Sequence, residues 1–142
     1  MNSQINQLTH EIIGASIEVH RTLGPGLLES VYERLLERRL QGRGLRVESQ
    51  IGIDFTFDSI DFKDGFRLDL LVERSVILEV KSLERGLAPV HTKQLLTYLR
   101  LTNLQIGLLL NFGGATMKEG IKRVVNDLPP SASPELRVNH KE

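Results

Sequence analysis

Asp69 lies ten residues before Glu79, and Lys81 follows Glu79 by two. Phe66 to Val72 and Val76 to Lys81 are β-rich runs separated only by Glu73-Arg74-Ser75, too short for a crossover, so the spacing predicts an antiparallel hairpin. A three-residue loop sets Val72 opposite Val76, hence Leu71 opposite Ile77, Asp69 opposite Glu79 and Arg67 opposite Lys81. Alternation then sends Arg67, Asp69, Glu79 and Lys81 to one face, and Leu68, Leu70, Leu78 and Val80 to the other. A two-residue loop would separate the carboxylates by face. Directly opposed Cβ atoms lie about 5 Å apart, where like charges destabilise. A divalent cation bridging both carboxylates would compensate, and Mg²⁺ favours one or two carboxylates completed by water and phosphate oxygens. Lys81, on the same face, could orient or deprotonate an attacking water, or stabilise charge on a phosphorane-like transition state. The plainer alternative is a solvated charge lattice on the outer face of a hairpin, the commoner fate of such a quartet.

His91, Gln94 and Tyr98 recur at helical spacing, which gives the next helix a polar ridge beside its leucine stripe. Alone, Gln94 and Tyr98 read as a half-buried helix face and His91 as a cap or surface residue. Glu29 precedes Tyr32 and Glu33 by about one turn near a helix start, where its plain role is to complement the helix dipole. Arg34, Arg38, Arg39, Arg43 and Arg46 cluster towards the end of that helix and its exit, and Lys118, Lys122 and Arg123 lie later. They suit phosphate contact, and Arg34 and Arg38 equally suit solvated pairing with Glu33 and Glu37. Five Phe, two Tyr and no Trp give little support for a base-stacking platform.

The elements that must position these residues follow from periodicity. Ile5, Leu8, Ile12, Ala15, Val19 and Leu23 mark a helix from about Ile5 to Thr22, ended by Gly24-Pro25-Gly26. A second helix follows with Leu28, Val31, Tyr32, Leu35, Leu36 and Leu40 inward, stopping at Gly42 and Gly44. From Val47 the period becomes two, with Ile51, Ile53, Phe55 and Phe57 on one face of a strand and Asp58 to Gly65 as its turn. After the hairpin come a helix from Val90 to Leu101, with Pro89 in its first turn, and a central strand from Ile106 to Phe112. A short helix from Met117 to Asn126 is expected last. The expected architecture is α/β: a mixed sheet of about four strands flanked by helices over residues 1–126, with 127–142 a mobile or loosely docked tail.

At 142 residues the chain has room for one domain, since single cores span about 50–200 residues. Eighteen basic residues balance eighteen acidic ones, so any nucleic-acid contact must be local. Without cysteine, thiolate zinc sites, iron–sulfur clusters, disulfides and cysteine nucleophiles are excluded. Neither a secretion signal nor a run of about 18 apolar residues is visible, so no membrane partner is expected and a cytoplasmic location is the default.

Gly26-Leu27-Leu28-Glu29-Ser30-Val31-Tyr32 fits GxxExxY. Together with VHRTLGPGLLESVYE, FRLDLLVE, ILEVKSLE, HTKQLLTYLR and GLLLNFG, it makes the chain from about Leu8 to Val125 resemble the bacterial GxxExxY protein family. That family is assigned to the PD-(D/E)xK nuclease superfamily, whose fold is restriction endonuclease-like. The resemblance implies that Asp69 is the first metal-binding acid, that Glu79-Val80-Lys81 is the ExK element, and that Gln94 and Tyr98 form the QxxxY motif of the RecB-like branch. It implies that Glu29 adds a helix-borne acid to the metal site. Leu68-Asp69 stands where the motif has Pro-Asp. The expected activity is Mg²⁺- or Mn²⁺-dependent hydrolysis of phosphodiester bonds, with nucleic acid, DNA above RNA, as partner. The alternative is a catalytically weak or inactive nucleic-acid or protein interaction module retaining the fold. Small stand-alone members of the superfamily often pair, which makes a homodimer a further expectation.

Overall fold

The stripe that begins at Ile5 forms α1 (Ser3–Leu23), which buries Ile12, Ala15 and Val19. A computed structural model of the protein describes residues 3–127 and 136–138. Gly24 and Gly26 adopt φ of +74° and +105°, backbone open to glycine at little cost, and turn the chain into α2 (Glu29–Gly42). Only Tyr32, Leu36 and Leu40, one row at spacing four, form the buried face of α2. Leu28 precedes the helix in extended conformation and is 75% exposed, and Val31 is 38% exposed, so neither joins the core face expected of them.

β1 (Val47–Phe57) and β2 (Ile60–Val72) form one long antiparallel hairpin. Its turn is only Asp58-Ser59, both left-handed, as a two-residue hairpin turn requires. The expected turn over Asp58 to Gly65 is therefore mostly strand: Phe55 pairs with Phe62 and Phe57 with Ile60. The acidic residues that suggested a loop alternate with Ile60 and Phe62 along an exposed arm.

β3 (Val76–Lys81) returns antiparallel to β2, and α3 (Pro89–Thr102) carries the chain across to β4 (Ile106–Asn111), parallel to β3. The helix expected over Met117 to Asn126 is replaced by a 3-10 turn at Lys118–Gly120 and the edge strand β5 (Ile121–Val125), antiparallel to β4. Gly120 ends the turn where its backbone passes so near Asn111 that a Cβ would meet the Asn111 carbonyl. Ile121, Val124 and Val125 are β-branched and favour the strand that follows.

β6 (Leu136–Val138) pairs with Ile53 to Phe55 of β1, giving the order β5-β4-β3-β2-β1-β6, against about four strands expected. Apart from Asp127 and this strand, the tail expected to be mobile or loosely docked lies outside the described residues. Helices α1 and α2 pack on one face of the sheet around Tyr32, Leu70, Leu78, Val80 and Phe112. On the other face Leu95 and Leu99 of α3 meet Ile53, Leu68, Ile77 and Leu109. The fold is thus a mixed α/β three-layer arrangement with β3 and β2 in the middle of the sheet.

Candidate active site

The β2–β3 ladder pairs Val72 with Val76, Leu71 with Ile77 and Leu70 with Leu78, as the three-residue loop dictates, and there it stops. One residue further, the strands exchange side-chain bonds instead. The Asp69 N–H donates to Glu79 Oε2 at 3.1 Å, and the Val80 N–H donates to Asp69 Oδ2 at 2.9 Å. Two backbone donors that the ladder abandons are thereby satisfied by the two acids. Arg67 does not face Lys81: it pairs with Gly52 of β1, while Lys81 runs alongside Asn111 of β4. Nor do Leu68 and Leu70 share a face. Leu68 packs under α3 and Leu70 under α1 and α2, because side-chain direction switches at Asp69.

The cause of the switch lies across the hairpin. Ser49 pairs with Leu70 and Ile51 with Leu68, so Gln50 stands opposite Asp69, but that rung is missing and Gln50 has φ of +51°. Val47 lies with the α1/α2 core and Ile51 with the α3 core, so β1 switches at the same rung. Gln50 Nε2 donates to Glu33 Oε1 of α2 at 2.6 Å.

Glu79 is 5% exposed. Burial, then the charge of Asp69, pushes its carboxyl up to about 8. Asp69 is also raised by burial, although the Val80 N–H and Lys81 pull the other way. The charge of Lys81, two residues past Glu79, favours the ionised form of both carboxylates, although it forms no ion pair with either among the described residues. Tyr98 on α3 is raised by burial and then by Glu79 and Asp69, which keeps a protonated phenol near the acids. Its ring stacks on Phe66 at 4.5 Å. Gln94, one turn earlier, is exposed. His91 accepts the Ala88 N–H on Nδ1 at 2.9 Å and caps α3, in keeping with its plain reading.

Glu29 is exposed at the start of α2, where its Oε2 accepts the Ser82 N–H at 3.3 Å. The tyrosine of GxxExxY explains that position. Tyr32 is fully buried and stacks on Phe112 at 4.6 Å. Its hydroxyl donates to the Gly24 carbonyl at 2.6 Å and accepts the Leu27 N–H at 3.1 Å, pinning the glycine turn that launches α2. The Ser82 hydroxyl adds a bond to the Leu27 carbonyl at 2.7 Å, tying the exit of β3 to the same turn. Asn111 secures that exit from behind: its Oδ1 accepts the Leu83 N–H at 2.7 Å and its Nδ2 donates to the Leu83 carbonyl at 2.9 Å.

Among the described residues no three acidic or histidine side chains stand close enough to hold a metal ion as placed. The expected trio is therefore not assembled as a ligand cage, because Glu29 turns to the Ser82 N–H while Asp69 and Glu79 turn to each other's strands. The pair itself fits a divalent cation. It offers hard oxygens, it is short of positive charge in a buried setting, and Mg²⁺ asks for only one or two carboxylates beside water.

Gln50, Glu33, Ser82 and Asn111 escaped the sequence reading. Only Glu33, next to the motif tyrosine, left a signal. Of the basic residues, Arg43 binds Glu11 and Glu18 at 2.8 Å each, and Arg39 and Arg46 also have acidic partners. Arg34 and Arg38 form no ion pair among the described residues and line a groove of about 650 Å³ together with Glu33, Glu37 and Gln50.

Residues 6–124 match the family described as the PD-(D/E)XK nuclease superfamily. The chain belongs to that superfamily. A solved structure described as "Crystal structure of SSO0001" shares the fold, with a TM-score of 0.53 and 19% identity over 73% of this chain and 53% of that one. The chain thus spans about half the length of that structure. No curated protein matches. Among the described residues no helix is long and apolar enough to cross a membrane.

Proposed function

We propose that this chain, as a GxxExxY-type member of the superfamily, is a Mg²⁺- or Mn²⁺-dependent nuclease that hydrolyses phosphodiester bonds in DNA. The observation that carries the reading is the fork where Asp69 and Glu79 converge beside Lys81. A charge lattice on an outer face would be solvated, whereas Glu79 is buried in the central strand. Asp69 and Glu79 would hold the cation, which supplies charge neutralisation at the phosphate and a more acidic attacking water.

The chain's own groups do the rest. Lys81 stabilises the negative charge that builds on the phosphate in the transition state. Gln94, exposed on α3, orients the water or a phosphate oxygen, and the Tyr98 phenol offers a hydrogen to the nucleic-acid backbone or to Gln94. Glu29 serves as an accessory acid at the edge of the site, and the Arg34–Arg38 groove receives phosphates.

The test is cleavage of labelled single-stranded, duplex and branched DNA, with RNA alongside, in Mg²⁺ or Mn²⁺. Lys81→Ala should lose at least about a hundredfold in rate, the scale of a positioned acid, base or charge-stabilising group, while metal binding persists. Gln94→Ala should lose less. Negligible and identical rates for wild type and Lys81→Ala on every substrate would replace the enzyme by the interaction module.

A further inference from the structure

Gln50 occupies a backbone conformation that its side chain must justify. Left-handed φ is unfavourable for a residue with a Cβ, by about 1 kcal/mol or more, and glycine would avoid the cost. The conformation removes one rung from the β1–β2 ladder, opposite Asp69. In return the amide is delivered between two carboxylates. Nε2 donates to Glu33 Oε1 at 2.6 Å, and the same amide stands opposite Asp69 across the missing rung, where it favours the charged carboxylate. One amide nitrogen carries two hydrogens, so the bond to Glu33 leaves a second one to offer to Asp69. The reversed orientation would present the amide oxygen to two anions, so the chemistry fixes which way the group points.

We propose that Gln50 is a positioning residue, a bridge from Glu33 on α2 that holds the Asp69 carboxylate in its metal-binding orientation. The proposal deepens the nuclease reading and rests on it for the cation. Asp69 has one oxygen committed to the Val80 N–H. A second donor from the opposite strand biases the carboxylate towards one orientation about that bond without locking it. Glu33 supplies the far anchor, and its helix also starts with Glu29, so α2 sets two acids around the fork through different contacts.

The decisive variant is Gln50→Gly, which accepts the left-handed backbone while deleting the amide. The expected result is a melting temperature equal to or above wild type, together with Mn²⁺ affinity about tenfold weaker by calorimetry, the scale of one hydrogen bond to a charged group. In the cleavage assay kcat should fall about tenfold with KM within about twofold, because orientation rather than substrate binding is lost. Glu33→Gln leaves the Gln50 backbone untouched and should weaken Mn²⁺ binding in the same direction. The double variant should be no worse than Gln50→Gly alone, as expected when both act through one bridge. Cleavage and Mn²⁺ affinity that survive Gln50→Gly unchanged would overturn the proposal and leave the nuclease reading standing. If wild type cleaves nothing but Gln50→Gly still weakens Mn²⁺ binding, the bridge stands and the enzyme does not. A loss of affinity that only tracks a loss of melting temperature would make Gln50 a structural residue, against the proposal.

Discussion

Burial and the Asp69 charge push the Glu79 carboxyl up to about 8, against 4.5 for the unperturbed side chain. Between those values the folded chain keeps a proton that the unfolded chain releases, so in metal-free buffer stability should fall as pH rises from about 4.5 to about 8. It should be highest below that window and level off above it. Glu79→Gln, which still offers an oxygen to the Asp69 N–H, should flatten this slope and stabilise the protein at pH 8.5 by on the order of 2 kcal/mol. Urea denaturation at pH 5 and pH 8.5 reads both effects, and equal slopes for wild type and variant would contradict the burial of a strained acid. Of this chemistry, the sequence made the meeting of Asp69 and Glu79 legible, because a three-residue loop admits one register. The reciprocal bonds to the Asp69 and Val80 N–H groups were not legible, since a ladder gives no sign of where it stops. Gln50 was hidden for a related reason: left-handed backbone is usually announced by glycine or asparagine, and a glutamine announces nothing.

Among the elements, the turn between α1 and α2 shows how a motif divides its labour. Glu29 faces the exit of β3, whereas Tyr32 faces inward and staples the turn that places Glu29. Tyr32→Phe keeps the stack on Phe112 but leaves the Gly24 carbonyl and the Leu27 N–H without their partner. It should cost about 1 kcal/mol, visible as a melting-temperature drop of a few degrees, with any loss of cleavage smaller than that of Lys81→Ala. A larger effect on cleavage than on stability would place the hydroxyl at the reaction itself. The helices were readable because each carries a clean stripe at helical spacing. The segment from Met117 was misread because its apolar residues satisfy two periods at once, and the deciding contact, Gly120 against Asn111, is tertiary. The hairpin arm was half missed because its aspartates resemble loop composition, although Ile60 and Phe62 alternate across them.

At the scale of the whole molecule, three layers place β3 where both faces are covered, which is why an acid on it is nearly sealed from water. The layer class and the two flanking helix groups followed from the order of elements. The strand count did not, since edge strands β5 and β6 are short and their pairing comes from tertiary neighbours. The fork has a dynamic consequence. Leu71 and Leu78 are held by neighbouring strands, and their amides open only when the sheet does. The Asp69 and Val80 amides hang on two carboxylates that can swing away by rotating side-chain bonds, with the sheet still closed. Amide hydrogen–deuterium exchange should therefore be faster at Asp69 and Val80 than at Leu71 and Leu78, although Val80 is buried as deeply as Leu78. Matching protection at all four would mean a fork as rigid as the ladder, whereas the expected gap would show an acidic fork that breathes on its own clock within a sheet that stays shut.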